Sequence, residues 1–541
     1  MKRFVSLLLA LLIAVPSAQA KERRPNFLII VADDLGYSDV GAFGGEIRTP
    51  NLDRLALAGI RLAGFHTAPT CSPTRSMLLS GTDNHLAGLG TMAEMIRPTQ
   101  QGQPGYEGYL RGDVATLAER LSEGGYRTLF SGKWHLGLTP GQDPHVRGFQ
   151  RSFALLQGGH NHFGTDVGST ATYTEQGRPL ARLPADFYSS DYFASRLIDF
   201  LGEQRGAGGG KPFFAYLAFT APHWPLQAPA GDIARYKGRY DAGFDALREQ
   251  RLARQRALGI LPDNVVPHTP RNRDGSWDSL TADQQRTAAR NMEIYAAMVD
   301  RLDQNVGRVI DALRASGELD NTVIVFLADN GAEALDAGTT GAEMLGRYTK
   351  GADNSFANRG AATSYVTYGA GWAQAATAPS WLTKGYQSEG GTRTVAFLSG
   401  AGIPRRDGAE SQFLSVADIA PTLLDLAQVD PATTRVGGRA VRPITGRSWA
   451  AWLRDPELRV YGAEDGVGSE LFGSRAYRQG DWKLTDIGDG IWRLFDIAHD
   501  PGETRDLSLT EPGRRERLAA AWERYAREVG VIAPDSIPYR P

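Results

Sequence analysis

Cysteine is almost missing from this sequence: Cys71 is the single one among 541 residues, so the chain can form no internal disulfide. Charge of one sign is not in excess either, because 59 Lys and Arg residues face 61 Asp and Glu residues and leave a formal net charge of −2. With no basic block or stripe, nucleic acid is excluded as the expected partner. After residue 20 no apolar run is long enough to cross a bilayer, so no membrane anchor is expected.

The N-terminus holds the longest apolar segment. Lys2 and Arg3 precede an apolar run over residues 4–15, and the small residues of Ala18-Gln19-Ala20 follow. A positive start, a short apolar run and an A-x-A sequence are typical of a secretory signal peptide. We therefore predict a leader at residues 1–20 and an exported, periplasmic or secreted, protein. A lone cysteine is unusual in such a protein.

Strands and helices alternate along most of the chain. Buried strands are predicted at Phe27–Ala32, Tyr126–Ser131, Pro212–Thr220 and Thr322–Ala328, helices at residues 190–204 and 283–316, and a flexible break at residues 206–210. This order predicts an α/β domain, residues 21–434, with a large, mainly parallel sheet flanked by helices. Short strands separated by turns, then a charged helix over residues 514–529, predict a smaller C-terminal domain, residues 435–541, with an antiparallel sheet and a helix.

Four of the predicted strands are followed by side chains that can do chemistry. In chain order these are Asp33 and Asp34, then Lys133 and His135, then His223, and finally Asp329 and Asn330. The carboxyl ends of parallel strands meet at one edge of a sheet, where ligands of open α/β folds bind. We therefore expect these side chains to lie together.

The acidic members of this set predict a metal site. Asp33, Asp34 and Asp329 offer three carboxylates, and Asn330 adds a neutral oxygen. Oxygen ligands without histidine suit a hard cation, Ca²⁺ or Mg²⁺, rather than zinc. Either pair alone would fit a solvated turn. Two pairs at equivalent strand ends favour a cation, since clustered carboxylates otherwise repel one another.

Cys71 lies in a pattern that predicts a reactive position. Pro73 belongs in the first turn of a helix and Gly81 just past its end, so Cys71 is expected at the helix N-terminus, where anions bind. Arg75, one turn further on, can reach back toward residue 71. A thiolate nucleophile is one interpretation of this pattern, although it fits poorly beside a hard cation.

The motif Cys71-x-Pro73-x-Arg75, extended by Ser80-Gly81, resembles the one whose cysteine is oxidised to formylglycine in type I sulfatases. The family's other motifs are matched in order by Asp33-Asp34, Gly132-Lys133-Trp134-His135, Ala221-Pro222-His223 and Asp329-Asn330-Gly331, with its C-terminal domain matched by Gly480 to Leu484 and Asp500 to Glu503. The resemblance covers essentially the mature chain and is closest to bacterial arylsulfatases. It implies an alkaline-phosphatase-like fold.

The resemblance also implies roles for single residues. One Ca²⁺, rather than Mg²⁺, would be bound by Asp33, Asp34, Asp329 and Asn330, with residue 71 completing the shell. Arg75 and Lys133 would hold the hydrated aldehyde, His135 would hydrogen-bond one of its hydroxyls, and His223 and Lys384 would hold the sulfate and the leaving oxygen. A formylglycine-generating enzyme would be the maturation partner and a small sulfate ester the substrate.

Three hypotheses follow. The first is an arylsulfatase; the second is a phosphate or phosphonate monoester hydrolase of the same superfamily; the third is a calcium-stabilised binding protein with unmodified Cys71. Loops at residues 93–109 and 335–374 are expected around the pocket. His160 and His162 are expected in a surface loop. Lys384 lies in a loop of its own, Thr383-Lys384-Gly385, where a lysine is normally exposed.

Overall fold

The computed structural model describes residues 23–203, 210–270, 275–336 and 342–536. The predicted leader, residues 1–20, and residues 206–209 of the predicted glycine-rich break lie outside these ranges. In the part of the chain that is described, no helix has both the length and the apolar character to span a membrane.

Two sheets and two two-stranded ribbons contain the strands, which are β1 (Asn26–Ala32), β2 (Ile60–Arg61), β3 (Phe65–His66), β4 (Arg127–Lys133), β5 (Arg151–Leu155), β6 (Tyr173–Glu175), β7 (Arg178–Pro179), β8 (Phe213–Ala218), β9 (Thr322–Ala328), β10 (Ala396–Gly400), β11 (Leu414–Ser415), β12 (Arg435–Val436), β13 (Arg439–Ala440), β14 (Gly466–Leu471), β15 (Ser474–Gln479), β16 (Trp482–Asp486) and β17 (Arg493–Asp496).

The α-helices are α1 (Pro50–Leu57), α2 (Cys71–Ser80), α3 (Leu117–Glu123), α4 (Ser189–Gly202), α5 (Ala230–Ala234), α6 (Gly243–Ala257), α7 (Ala282–Ala315), α8 (Ala342–Thr349), α9 (Ala370–Ala376), α10 (Glu389–Thr392), α11 (Ile419–Leu426), α12 (Ala450–Arg454) and α13 (Pro512–Val529).

The large sheet has nine strands in the order β2-β10-β9-β1-β8-β4-β5-β6-β7. Its five central strands, β9 to β5 in that order, pair in parallel, and the strands at both edges pair antiparallel. Because both faces are covered, β1 is apolar throughout: Phe27, Ile29 and Val31 enter one hydrophobic layer, while Leu28 and Ile30 enter the other. The predicted mainly parallel sheet flanked by helices is confirmed.

The predicted elements of the large domain lie within two or three residues of their observed bounds. The helix predicted at residues 283–316 is α7, which begins with a capping box formed by Thr281 and Gln284 and buries Met292, Tyr295 and Met298 in the core. The strand predicted at Tyr126–Ser131 is β4, and it continues to Lys133, so that lysine belongs to the strand itself.

The C-terminal sheet is antiparallel, with strand order β14-β15-β16-β17, and α13 packs on it through Leu518 against Leu484 and Leu494. This confirms the predicted small antiparallel sheet with its helix. Trp449 and Trp452, which follow residue 435, pack in a hydrophobic layer of the large sheet. The boundary at residue 435 stays a prediction.

Candidate active site

The side chains expected at the carboxyl edge of the large sheet do lie there. Asp33 and Asp34 follow β1, Asp329 and Asn330 follow β9, and Lys133 ends β4. Since β9, β1, β8 and β4 are neighbours in the sheet, their ends present these groups to one place. Asp34 has a φ of 64° and His135 a φ of 55°. Residues other than glycine rarely adopt this left-handed conformation, and such strain is found at functional sites.

Residue 71 is brought to the same place by α2. Cys71 is the first residue of this helix, is buried, and follows the N-cap Thr70. Carboxylate oxygens of Asp33, Asp34 and Asp329 and the Sγ of Cys71 all lie within 4.8 Å of one another. Burial raises the pKa of the Cys71 thiol well above its usual range, although Lys133 and Lys384 oppose that shift. The sequence-predicted nucleophile and the predicted carboxylates therefore share one buried centre.

Arg75 and Lys133 neutralise two of these carboxylates from the α2 side. Arg75 donates to Asp329 Oδ2 from Nη2 at 2.7 Å and from Nε at 2.9 Å, and to the Lys133 carbonyl at 3.0 Å. The Nζ of Lys133 donates to Asp33 Oδ2 at 2.7 Å. Burial would lower the pKa of Lys133, but Asp33, Cys71 and Asp329 together outweigh burial and raise the pKa. Both cations are therefore held charged in a buried site.

Lys384 contacts the third carboxylate of the centre. Its Nζ lies 2.8 Å from Asp34 and 3.2 Å from Glu333 Oε2. Burial alone would raise the pKa of Asp34, but Lys384, His223 and Lys133 together lower it to about 2. Lys384 is 3% exposed, so this lysine, which its loop position predicts to be exposed, is buried in the site.

The four proposed metal ligands fit a hard cation. Asp33 Oδ1 and Asn330 Oδ1 are buried and have no hydrogen-bond donor among the described residues. Asn330 instead donates from Nδ2 to Asp34 Oδ1 at 2.6 Å, which leaves its carbonyl oxygen unsatisfied. Buried acceptors without donors cost free energy, and a cation would satisfy both. The donor set, three carboxylates and one amide oxygen, has the chemistry that hard cations such as Ca²⁺ and Mg²⁺ prefer.

Two histidines flank the centre. His135 Nε2 lies 3.1 Å from Glu94 Oε1, whereas its Nδ1 is buried without a hydrogen-bond partner in the described structure. His223 donates from Nδ1 to the Trp224 carbonyl at 2.6 Å, which leaves Nε2 3.6 Å from Asp34 Oδ2. Burial lowers the pKa of His223 well below its usual range, and Asp34 offsets this only in part.

A pocket opens beside His223. It is lined by Asp34, His223, Trp224, Glu333, Leu335 and Tyr368, so the expected loop at residues 335–374 does contribute to it. Trp224 also contacts Tyr348 and Tyr365, with ring centroids 5.8 Å away in both cases, and the two tyrosines stack at 6.0 Å. One wall beside the pocket is therefore aromatic.

The expected surface position of His160 and His162 is wrong. Both are buried, at 6% and 1% exposure. His162 bonds through Nδ1 to Ser189 Oγ at 2.7 Å and donates from Nε2 to the His223 carbonyl at 3.0 Å. The polar composition of this segment predicted solvent exposure. The segment is buried because His162 has hydrogen-bond partners far away in sequence. His162 supports the backbone of His223 from behind.

Sequence reasoning missed two carboxylates near the proposed site residues, Glu94 and Glu333. Glu94 lies in the expected pocket loop at residues 93–109 and contacts His135. Glu333 comes three residues after Asn330, on the loop that carries the strand-end motif, and this proximity was a usable signal.

The known proteins that this chain resembles are consistent with one another. A family model described as Sulfatase matches residues 25–429. An uncharacterized sulfatase of Schizosaccharomyces pombe is 48% identical over 537 residues, 96% of this chain and 96% of that protein. An arylsulfatase of Klebsiella aerogenes is 39% identical over 458 residues, 83% of this chain and 96% of that enzyme.

A solved structure gives the same fold. The crystal structure of Ps i-CgsB in complex with k-i-k-neocarrahexaose superposes with a TM-score of 0.66 at 24% identity, over 96% of this chain and 95% of that one. At this identity the likeness bears on the fold alone, and it confirms the predicted alkaline-phosphatase-like architecture.

Proposed function

The chain belongs to the sulfatase family and hydrolyses sulfate monoesters, and from this premise we propose that it acts through a formylglycine made from Cys71 and one Ca²⁺ ion. Asp33, Asp34, Asp329 and Asn330 would hold the ion, with residue 71 completing the shell. The observation that carries this proposal is the buried cluster of three carboxylates around the Sγ of Cys71, all within 4.8 Å. When bound, Ca²⁺ would supply positive charge that favours a deprotonated hydroxyl and stabilises a sulfuryl group.

The Sγ of Cys71 stands where an oxygen of the aldehyde or of its hydrate would be. One hydroxyl of the hydrate attacks sulfur, and the bond from sulfur to the ester oxygen breaks. Nε2 of His223 faces the centre because Nδ1 is bound to the Trp224 carbonyl. We assign to Nε2 the proton that goes to the departing oxygen. This step uses the imidazolium form of His223, which Asp34 and the negative charge of the bound ester favour against burial.

His135 would complete the cycle. Its Nδ1 is buried without a partner among the described residues, and we propose that His135 removes the proton of the second hydroxyl. The carbon then regains its double bond to oxygen, the bond to the sulfate oxygen breaks, and sulfate leaves. Arg75, Lys133 and Lys384, which contact the carboxylates of this centre, would stabilise the charge of the sulfate group in both steps.

We propose aryl sulfates as the preferred substrates. The support is the aromatic wall of Trp224, Tyr348 and Tyr365, which begins next to His223, the residue assigned to the leaving oxygen. A planar phenolic group leaving past His223 could stack on these rings, an arrangement worth about 0.5–1.5 kcal/mol beyond area burial.

The same proposal covers maturation and location. Residues 1–20 would direct export to the periplasm or outside the cell, and a formylglycine-generating enzyme would oxidise Cys71. The catalytic domain would run over residues 21–434 and the C-terminal domain over residues 435–541.

Mass spectrometry of the tryptic peptide containing residue 71 tests the proposed nucleophile. We expect the peptide to have lost sulfur and to carry an aldehyde or its hydrate, together with turnover of nitrophenyl sulfate. Cys71→Ser should keep the fold by circular dichroism and lose turnover by orders of magnitude, because a serine sulfate ester cannot collapse to an aldehyde. A free thiol in fully active protein would refute the proposal.

The experiment also separates the alternatives. Faster hydrolysis of nitrophenyl phosphate than of nitrophenyl sulfate would make the phosphate ester the true substrate. An unmodified thiol with no turnover of either ester would support a calcium-stabilised binding protein.

A further inference from the structure

Glu333 is a buried carboxylate to which the proposed mechanism gives no task. It is 3% exposed and lines the same pocket as Asp34 and His223. It is not needed as a metal ligand, since three other carboxylates and Asn330 form that set. Burying a fourth acidic group near three others costs free energy, so its presence calls for a function.

The contacts of Glu333 tie it to Lys384. Its Oε2 lies 3.2 Å from the Lys384 Nζ, and its Oε1 accepts the amide hydrogen bond of Leu335 at 2.9 Å. The same ammonium lies 2.8 Å from Asp34. The charge of Lys384 is therefore shared between two carboxylates that both line the pocket beside His223, whereas Lys133 contacts Asp33 at 2.7 Å.

We propose that Glu333 is a positioning and specificity-determining residue that makes the site favour singly charged sulfate esters over doubly charged phosphate esters. A sulfate monoester carries one negative charge, whereas a phosphate monoester carries about −1.5 to −2 at pH 7. The repulsion from a fixed carboxylate grows with the charge of the substrate. Glu333 therefore penalises the phosphate ester more. This inference rests on the proposed function, in which Lys384 holds the sulfate.

Glu333→Gln tests it, because glutamine keeps the shape and an oxygen for the Leu335 amide but removes the charge. The measured quantity is the ratio of kcat/KM for nitrophenyl phosphate to that for nitrophenyl sulfate at about pH 8, where the phosphate ester is fully ionised. We expect the ratio to rise at least tenfold, because one extra substrate charge within about 12 Å of the carboxylate changes the Coulomb energy by that much or more at an effective dielectric constant near 20. Inorganic sulfate and inorganic phosphate are both dianions at about pH 8, so inhibition by the two ions should strengthen to a similar extent.

Glu333→Asp supplies the rescue. Aspartate keeps the negative charge, so the ratio of the two kcat/KM values should stay that of the protein without substitutions, even if hydrolysis of both esters becomes slower. A ratio that stays constant in Glu333→Gln, or that changes equally in Glu333→Asp, would overturn the inference.

Glu503→Gln is a matched control. One oxygen of Glu503 lies 2.9 Å from the Lys483 Nζ, which also contacts Glu389, and the other accepts the Glu389 amide at 2.7 Å. This buried pair repeats the contacts of Glu333, but at β16 of the C-terminal sheet. In Glu503→Gln the ratio of kcat/KM for nitrophenyl phosphate to that for nitrophenyl sulfate should not change, even if the variant is less stable. A different result would contradict the proposed function and not the role of Glu333. That result is a protein without substitutions that carries an aldehyde at residue 71 and yet turns over no sulfate ester.

Discussion

At the scale of single residues, two buried oxygens predict what the cation does for the protein. Asp33 Oδ1 and Asn330 Oδ1 have no donor in the described structure. Ca²⁺ should therefore raise the free energy of unfolding by up to about 3 kcal/mol when its concentration is a hundred times its Kd. The midpoint of thermal unfolding should rise as a result. EDTA should lower the midpoint and abolish turnover. Calorimetry with and without Ca²⁺ measures both effects.

Asn330→Ala should weaken this response, because it removes one unsatisfied oxygen and the hydrogen bond to Asp34. Asn291→Ala is the control: Asn291 is also buried, but it donates to the Thr367 carbonyl at 2.7 Å and accepts from Arg359 at 2.9 Å, and both partners lie outside the proposed ligand set. It should lower the midpoint and keep the full calcium response. Equal calcium shifts in the two variants would contradict the assigned ligand.

Single residues of the site could be predicted from the sequence where they directly follow a recognisable apolar strand. Asp33, Asp34, Asp329 and Asn330 follow apolar strands, and a parallel sheet brings such ends together. Lys384 and His162 were harder to place, because their burial depends on partners far away in sequence, such as Asp34 for Lys384 and Ser189 for His162. No local pattern encodes those contacts.

At the scale of elements, the position of residue 71 depends on how α2 ends. Gly81 has a φ of 66° and closes the helix by donating to the Met77 carbonyl. A Cβ on Gly81 would lie 2.9 Å from Ile444 Cγ2 and 3.2 Å from Ala420 Cβ. Gly81→Ala should therefore add a steric cost to the conformational one.

Gly317→Ala is the matched comparison, since Gly317 follows α7 with a φ of 69° and its Cβ would meet nothing within 4 Å. We expect Gly317→Ala to lower the unfolding free energy by roughly 1–2 kcal/mol. Gly81→Ala should cost about 1 kcal/mol more and should lower kcat, because α2 carries Cys71 and Arg75. Urea unfolding and steady-state assays measure both. Equal stability losses with unchanged kcat would argue against this coupling.

Elements with a strong local signal were predictable, and elements defined by pairing were not. The apolar run of β9 and the period of α7 gave their bounds almost to the residue. In contrast, β14 reads Gly466-Val-Gly-Ser-Glu-Leu471, with little strand preference, and its six-residue register with β15 holds it in place.

At the scale of the whole molecule, buried ion pairs join the C-terminal sheet to the large domain. His85 lies between them, with Nε2 3.1 Å from Glu470 Oε2 on β14 and Nδ1 3.3 Å from Asp83 Oδ1. Tyr525, on α13, donates to the other oxygen of Asp83 at 2.8 Å. One of the contacts between the C-terminal sheet and the large domain therefore depends on the charge of a histidine, beside the ion pair of Lys483 with Glu389.

This arrangement makes stability depend on pH. Burial would lower the pKa of His85, but its contacts with the carboxylates of Asp83 and Glu470 raise it to about 9. A pKa that is higher in the folded state means that the folded protein holds a proton which the unfolded chain releases near pH 6.5. The contribution is fully present below about pH 6.5 and is lost as the pH rises toward 9.

We expect on the order of 2–3 kcal/mol of unfolding free energy to disappear across that window, as measured by urea unfolding at a series of pH values. His85→Gln should be less stable at pH 6 and should show a flatter profile from pH 6.5 to 9. His499→Gln is the control, because His499 pairs with Asp496 at 3.0 Å but is 77% exposed, and solvent screens such pairs. If His85→Gln kept the slope of the unchanged protein, the proton on His85 would not hold the two domains together.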